Sequence, residues 1–265
     1  MKQRAERIKK LAQSAEERIQ LTRVLEKADT CREKCYVTST RFLDMREAAL
    51  AEELLHQSGE HRWRFVGGHT DAERRVIVFL PDYLEELEAD SEDMPITAIR
   101  CTKNKADTLT HRDYLGSLMG LQIKRECIGD ILIGDHGADI VVLKEIAPFL
   151  LLNYTKAGRK NLSTEEIPLS RLIVPVPKVT HIRDTVASLR LDAVCASLFR
   201  IPRTRAVEAI KGGRVFLNQR PCMQPDREIR EGDKITLRGL GRGEVDEILG
   251  ESRKKRIVIS LKKFV

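Results

Sequence analysis

The chain is poor in aromatic residues: Phe, Trp and Tyr make up 5% of its 265 positions, and Trp63 is the single tryptophan. A protein that reads single-stranded RNA mainly by stacking bases on ring faces needs more of them. Long apolar runs are missing too. No window approaches the roughly 18 to 20 consecutive apolar residues of a membrane-crossing helix, so no membrane partner is expected. The first ten residues are charged throughout and have neither the apolar core nor the cleavage pattern of a secretory signal. Six cysteines (Cys31, Cys35, Cys101, Cys127, Cys195, Cys222) are scattered through a chain long enough to bury a core without covalent staples. Reduced thiols in a cytosol-like compartment are therefore expected.

Charge of one sign is also in short supply, since 47 Lys and Arg face 40 Asp and Glu for a net +7. Its placement is more informative than its size. Residues 181–265 hold nineteen Lys and Arg against eleven acids, whereas residues 1–180 hold twenty-eight against twenty-nine. A basic module on a near-neutral body fits attraction to a polyanion, nucleic acid above all, because clustered cations release condensed counterions from phosphates. Charge alone leaves a merely soluble surface open as well. With 42% hydrophobic and 33% charged residues, the composition is that of a globular protein of two or three domains.

Residues 2–56 are almost free of Gly and Pro, and Leu21, Val24 and Leu25, then Leu50, Leu54 and Leu55, recur at helical spacing. Ser58-Gly59 ends that pattern. Trp63 and Phe65 alternate with arginines, Val76-Ile77-Val78-Phe79-Leu80 is a compact apolar run, and residues 96–101 read as a third strand. Residues 85–93 are an acidic loop or solvated helix end. A helix over residues 110–121 carries Tyr114, Leu115, Leu118 and Met119 on one side. A strand, turn and strand follow over residues 131–143, and a helix over residues 146–154. Pro168, Pro175 and Pro177 mark a linker. Beyond it, Leu191, Val194, Cys195 and Leu198 make one short amphipathic helix. Ala206, Ala209 and Ile210 make a second, with Pro202 at its first position and Gly212-Gly213 as its stop. Strands are expected at residues 214–217, 234–237 and 256–261. The expected class is α+β: a helical segment (residues 1–58), a central α/β sandwich (59–168), a linker (169–181) and a basic module of two short helices and a small antiparallel sheet (182–265).

Within that module, Arg190, Arg203, Thr204, Arg205, Lys211, Arg214 and Asn218 are the candidate site residues. With Ala206, Ala209 and Ile210 turned inward, the cations converge on one outer surface suited to charge-assisted contacts with phosphates, and Thr204 and Asn218 add hydrogen bonds. Ordinary solvated helix charge is the competing reading. The run Arg190-Leu191-Asp192, Arg203-Thr204-Arg205-Ala206, Ile210 to Val215, Asn218 and Glu231 to Ile235 resembles the alpha-L RNA-binding motif of the small-subunit ribosomal protein S-four. Where that pattern usually has Ser, this chain has Pro202, which removes a possible cap.

The resemblance extends upstream. Phe65-Val66-Gly67-Gly68, Ala72-Glu73-Arg74-Arg75, residues 109–116 (LTHRDYLG), Ile123-Lys124-Arg125 and Ile128-Gly129-Asp130-Ile131 are similar to the YlmH family of bacterial and plastid RNA-binding proteins. That likeness implies a non-catalytic protein that binds ribosomal RNA and tRNA on the large ribosomal subunit. It would act there in rescue of stalled peptidyl-tRNA and in tailing of the nascent chain; an association with cell division also attaches to the family. A monomer in the bacterial cytosol, or in the plastid stroma, is the expected form. Because alpha-L modules also accompany pseudouridine synthases and methyltransferases, an RNA-modifying enzyme or its accessory stays open.

Other motifs carry less. His111, Arg112 and Asp113 look enzyme-like, but neighbours on a helix diverge by about 100° and no nucleophile is spaced with them. Arg112, Lys124 and Arg125 fit RNA contact or plain solvation equally. Trp63 and Phe65 read as one buried strand face. Gly239-Leu240-Gly241-Arg242-Gly243 lacks the helix and lysine of a phosphate loop and reads as a flexible basic connection. Cys31 with Cys35 and His56 with His61 miss the spacing of a closed zinc site, so neither metal nor cofactor is expected.

Overall fold

The computed structural model describes residues 2–176, 178–252 and 254–264. Met1, Pro177 and Val265, which fall in the expected helical segment, linker and basic module, lie outside the described residues, as does Arg253. Contacts divide the chain into two compact units, Met1–Pro175 and Val176–Val265.

The first unit begins with α1 (Lys2–Leu11), α2 (Ala15–Lys34), β1 (Thr38–Ser39) and α3 (Met45–Ser58). Helix ends follow local chemistry. The Ser14 hydroxyl accepts the Glu17 N–H at 3.1 Å to start α2. Asp44 and Glu47 form a reciprocal capping box at the start of α3, which stops at Gly59 with φ +73°. The short strand β1, inside the segment expected to be helical, joins β2 (Trp63–Val66) and β3 (Val76–Phe79) in an antiparallel sheet ordered β1-β3-β2.

The rest of the unit is a five-stranded sheet covered by two helices: β4 (Ile96–Lys103), α4 (His111–Gly120), β5 (Ile128–Gly134), β6 (Gly137–Leu143), α5 (Ala147–Asn153), β7 (Lys156–Ala157) and β8 (Lys160–Ile167). Its order is β5-β6-β4-β8-β7, antiparallel throughout. On α4, Tyr114 and Leu118 are buried, but Met119 lies about 100° further round the helix and is 45% exposed, not on the inward side as expected. Trp63 and Phe65 meet edge-on at 5.3 Å and pack, half-buried, against the helical core. Residues 169–171, expected as linker, form a short 3-10 turn with Leu169 buried.

Asp139 holds the wide sheet to that turn. Its fully buried carboxylate takes two 2.8 Å bonds from Arg100, its cross-strand partner on β4, and one of 2.8 Å from the Ile173 N–H. His136 Nε2 lies 3.1 Å away, and Arg100 also donates to the Arg171 carbonyl at 2.8 Å. Burial pushes the Asp139 carboxyl upward, but the bonds from Arg100 and Ile173 outweigh it and hold the group below the usual carboxylate range.

The second unit runs β9 (Val179–Val186), α6 (Leu191–Phe199), α7 (Arg203–Lys211), β10 (Val215–Leu217), β11 (Arg220–Pro221), β12 (Lys234–Leu237), β13 (Gly241–Glu251) and β14 (Ile257–Phe264). Six antiparallel strands in the order β11-β10-β12-β13-β14-β9 form one sheet, and α6 and α7 share its core. The glycine-rich segment 239–243 is only partly a connection: Gly241 to Gly243 open β13 and pair with Leu237 to Ile235. Gly243 is required there, since a Cβ would lie 2.6 Å from both Leu198 Cδ1 and the Lys262 carbonyl oxygen.

Breaking a buried ion pair leaves an uncompensated charge in the interior. Asp139→Asn is therefore expected to lower unfolding free energy by about 3 kcal/mol or more at pH 7, measured by urea denaturation. Because the native carboxyl titrates below its unfolded value, this contribution is present above about pH 4 and fades as pH falls through the native value. The gap between wild type and variant narrows accordingly.

Candidate nucleic-acid interface

The helices α6 and α7 are joined by three residues. Arg200 ends α6 in the left-handed region at φ +52°, its N–H turned back toward Ala196 and Ser197, and Pro202 blocks further helix. Helix α7 starts at Arg203, so Pro202 is its N-cap and not its first helical residue. No side chain caps this end, and Arg203, Thr204 and Arg205 in its first turn are exposed, which leaves the first-turn N–H groups without a side-chain acceptor.

Ala206, Ala209 and Ile210 are buried as expected. The cations divide around that stripe. Arg203 sits on the flank toward α6, where one guanidinium nitrogen lies 3.0 Å from each oxygen of Asp192. Arg190 reaches the same carboxylate at 3.3 and 3.1 Å. Asp192 is buried, while the side chains of Arg190 and Arg203 remain 42% and 51% exposed. Burial alone raises the Asp192 carboxyl, yet hydrogen bonds from Arg190 and Arg203 hold it below the ordinary range. Two candidate cations thus share one internal counter-charge.

Arg205 is two residues from Arg203, about 200° around the helix, on the other flank of the stripe. Thr204 and Lys211 lie on the crest between, together with Glu208, and all four are exposed. Arg214 follows the helix, its N–H donating to the Ala209 carbonyl at 3.0 Å and its side chain exposed. Among the described residues, no carboxylate pairs with Arg205, Lys211 or Arg214. The array is therefore two groups: Arg190 and Arg203, fixed by Asp192, and three unpaired cations on and after α7.

Asn218 has a different place. With Gln219 it forms the tight turn between β10 and β11, both at positive φ (+52° and +65°). Its side-chain nitrogen donates to Asp233 at 2.9 Å, and its oxygen accepts the Lys234 N–H at 2.9 Å. Asp233 also accepts the Arg230 N–H at 2.8 Å. These bonds engage the Asn218 amide in closing the sheet end.

Asp192 is the residue that sequence reasoning undervalued. It lies three before Cys195 and seven before Phe199, both buried, so helical spacing sets it on the inward stripe. An acid there with arginines two residues before and eleven after was a readable signal. The strap over residues 225–229 was not readable: Arg227 O and Pro225 O accept the Leu191 and Asp192 N–H groups at 2.8 and 3.0 Å.

In the first unit, Asp113 accepts both the N–H and the hydroxyl of Thr110, at 2.8 and 2.7 Å. Its carboxylate is engaged in starting α4. His111, partly desolvated and close to the Arg125 charge, holds its proton less readily than a free histidine. The guanidinium of Arg125 donates to the carbonyls of Ile128 and Gly129, which ties it to the fold; Arg112 is exposed. His56 packs edge-on to Trp63, and Cys31 is buried while Cys35 is exposed. Among the described residues no three His, Cys, Asp or Glu side chains gather as metal ligands, and no helix is long and apolar enough to cross a membrane.

Residues 90–171 match the family described as "Putative RNA-binding domain in YlmH", and residues 189–235 match the S4 domain. The chain is 34% identical over 241 residues to the ribosome-associated protein quality control protein P2 of Bacillus subtilis (strain 168), covering 91% of this chain and 93% of that protein. Among solved structures, the cell division protein ylmH from Streptococcus pneumoniae superposes with a TM-score of 0.50 at 19% identity. The match covers 61% of this chain and 98% of that one, which is a likeness of fold.

The Asp192–Arg203 pair is measurable by a double-mutant cycle with Asp192→Asn and Arg203→Gln. A coupling of about 1 kcal/mol is expected at neutral pH, reduced from a buried pair's value because Arg203 is half in solvent. With Asp192 depressed, the coupling persists above about pH 4 and disappears as pH falls through the native value, read by urea denaturation at several pH values.

Proposed function

The chain belongs to the YlmH family of RNA-binding proteins, and from that premise we propose that it binds ribosomal RNA and tRNA on the large ribosomal subunit in the rescue of stalled peptidyl-tRNA complexes. The observation that carries this reading is the pairing of an uncapped α7 N-terminus, its first-turn residues exposed, with the unpaired cations Arg205, Lys211 and Arg214. An A-form RNA backbone presents phosphates, and such a surface meets them with charge and directed N–H groups. Arg190 and Arg203 supply donors left over from Asp192, and Thr204 supplies a hydroxyl on the same crest. The relative from Bacillus subtilis bears a name in ribosome-associated quality control, which supports the ribosomal setting.

The role is one of binding, in the cytosol of a bacterium or the stroma of a plastid, by a monomer. Three carboxylates of the chain serve structure: Asp113 in a helix cap, Asp139 and Asp192 in ion pairs. If instead the chain modified RNA, cells lacking it would lose a modified nucleoside, and mass spectrometry of digested RNA is expected to show no such loss.

Replacing Arg205, Lys211 and Arg214 together by Ala is expected to weaken co-sedimentation with large ribosomal subunits. It should also flatten the dependence of log Kobs on log salt by about two to three, near 0.9 for each phosphate that is no longer neutralised. Unchanged binding and slope would remove these residues from the interface.

A further inference from the structure

The first unit has a basic surface that a sum over residues 1–180 conceals. Residues 1–10 contain five Lys and Arg against Glu6 alone, whereas residues 11–180 hold twenty-three against twenty-eight acids. Without α1, the body is acidic. Packing decides which way the helix turns. Ile8 is buried in the helical core, Leu11 packs against that core from its edge, and Arg4 is bound to Asp29 on α2. Lys10 is about 160° around the helix from Ile8, with Arg7 and Lys9 to its two sides, so these three cations occupy the outward half; Lys9 and Lys10 are exposed and Arg7 half-exposed.

Their concentration sets them apart, with five cations against one acid in ten residues. Arg4, Arg32, Arg41, Arg46, Arg100 and Lys160 each lie against a carboxylate. Among the described residues, Arg7, Lys9 and Lys10 have none. Glu6 is the one acid on the helix, and it forms no ion pair with them.

We infer that the outward face of α1 is a second contact surface for the RNA backbone, separate from the one on α7. This rests on the reading that the chain binds RNA and adds a site to it. Residues 11–180 carry more acids than bases, so the concentrated cations of α1 give the first unit a strong local attraction for phosphates. An anionic membrane fits less well. The outward face carries no large apolar side chain to insert, because Ile8 and Leu11 already serve the core.

The test uses the full-length chain and purified large ribosomal subunits, with log Kobs measured against log salt. Four proteins are compared: wild type, Arg7→Ala/Lys9→Ala/Lys10→Ala, the triple Ala variant at Arg205, Lys211 and Arg214, and all six changes together. Circular dichroism confirms that each is folded. The α1 variant is expected to bind at least tenfold more weakly at 100 mM salt and to flatten the slope by about two. A wild-type slope and affinity in the α1 variant, beside a loss in the α7 variant, would overturn the second surface and leave the first intact. No loss in the α7 variant would overturn the reading of function itself. Vesicles containing 30% phosphatidylserine form the last arm. Capture of wild type by these vesicles, lost in the α1 variant while subunit binding persists, would assign α1 to membranes and sink the proposal.

Discussion

Four residues, Val76–Phe79, are walls of two cores at once. Successive side chains of a strand point to opposite faces, and here both faces are covered. Val76 and Val78 belong to the core of the five-stranded sheet, Ile77 and Phe79 to the core of the three N-terminal helices. Neither core closes without this strand, and a one-residue slip in its pairing would exchange the two sets. That is why the run is apolar at every position where a one-sided strand would alternate. The strand also makes the helices an integral part of the first unit, so that α1 is held at a fixed place on a folded body.

Both units use a buried carboxylate as an internal fastener. Asp139 ties two central strands to the segment around Ile173; Asp192 ties the start of α6 to the start of α7. In each case the partners are arginines, whose planar donors match the two oxygens of a carboxylate. For a chain that binds a polyanion this arrangement has an added effect. Acids taken inside do not repel phosphates from the surface, and Arg190 and Arg203 beside Asp192 remain about half in solvent.

Where one face of an element is apolar and the other polar, the sequence disclosed it. The stripes of α2, α3, α6 and α7 were legible for that reason, while the two-sided strand β3 and the hairpin of β5 and β6 were legible as compact apolar runs, and the membership of Arg203, Arg205, Lys211 and Arg214 in one short segment was plain from their order. Strands β8, β9 and β13 were not. Their residues, such as KNLSTEEI over 160–167 and VTHIRDTV over 179–186, are mostly exposed or half-exposed, and β8 and β9 hold their places through backbone bonds to β4 and β14, distant in sequence. Periodicity carries no trace of such partners. The division of cations around α7 was hidden for a related reason: residue order says that Arg203 and Arg205 are close, but which one meets an acid depends on α6. The basic face of α1 was lost to averaging, because its excess cancels against the acidic loop of residues 85–93 in any sum over the whole body.

Asp192 also divides the proposed interface by stiffness. A long side chain immobilised on binding costs about 0.5 to 1.5 kcal/mol of lost freedom. Arg190 and Arg203 lose part of that freedom when the module folds, since the carboxylate already orients them, whereas Arg205, Lys211 and Arg214 keep theirs until a partner arrives. The first pair presents a preset geometry, able to favour one spacing of phosphates over another. In the proposed interface the other three would follow whatever backbone path that choice leaves, so one acidic residue would separate selection from adhesion among five cations.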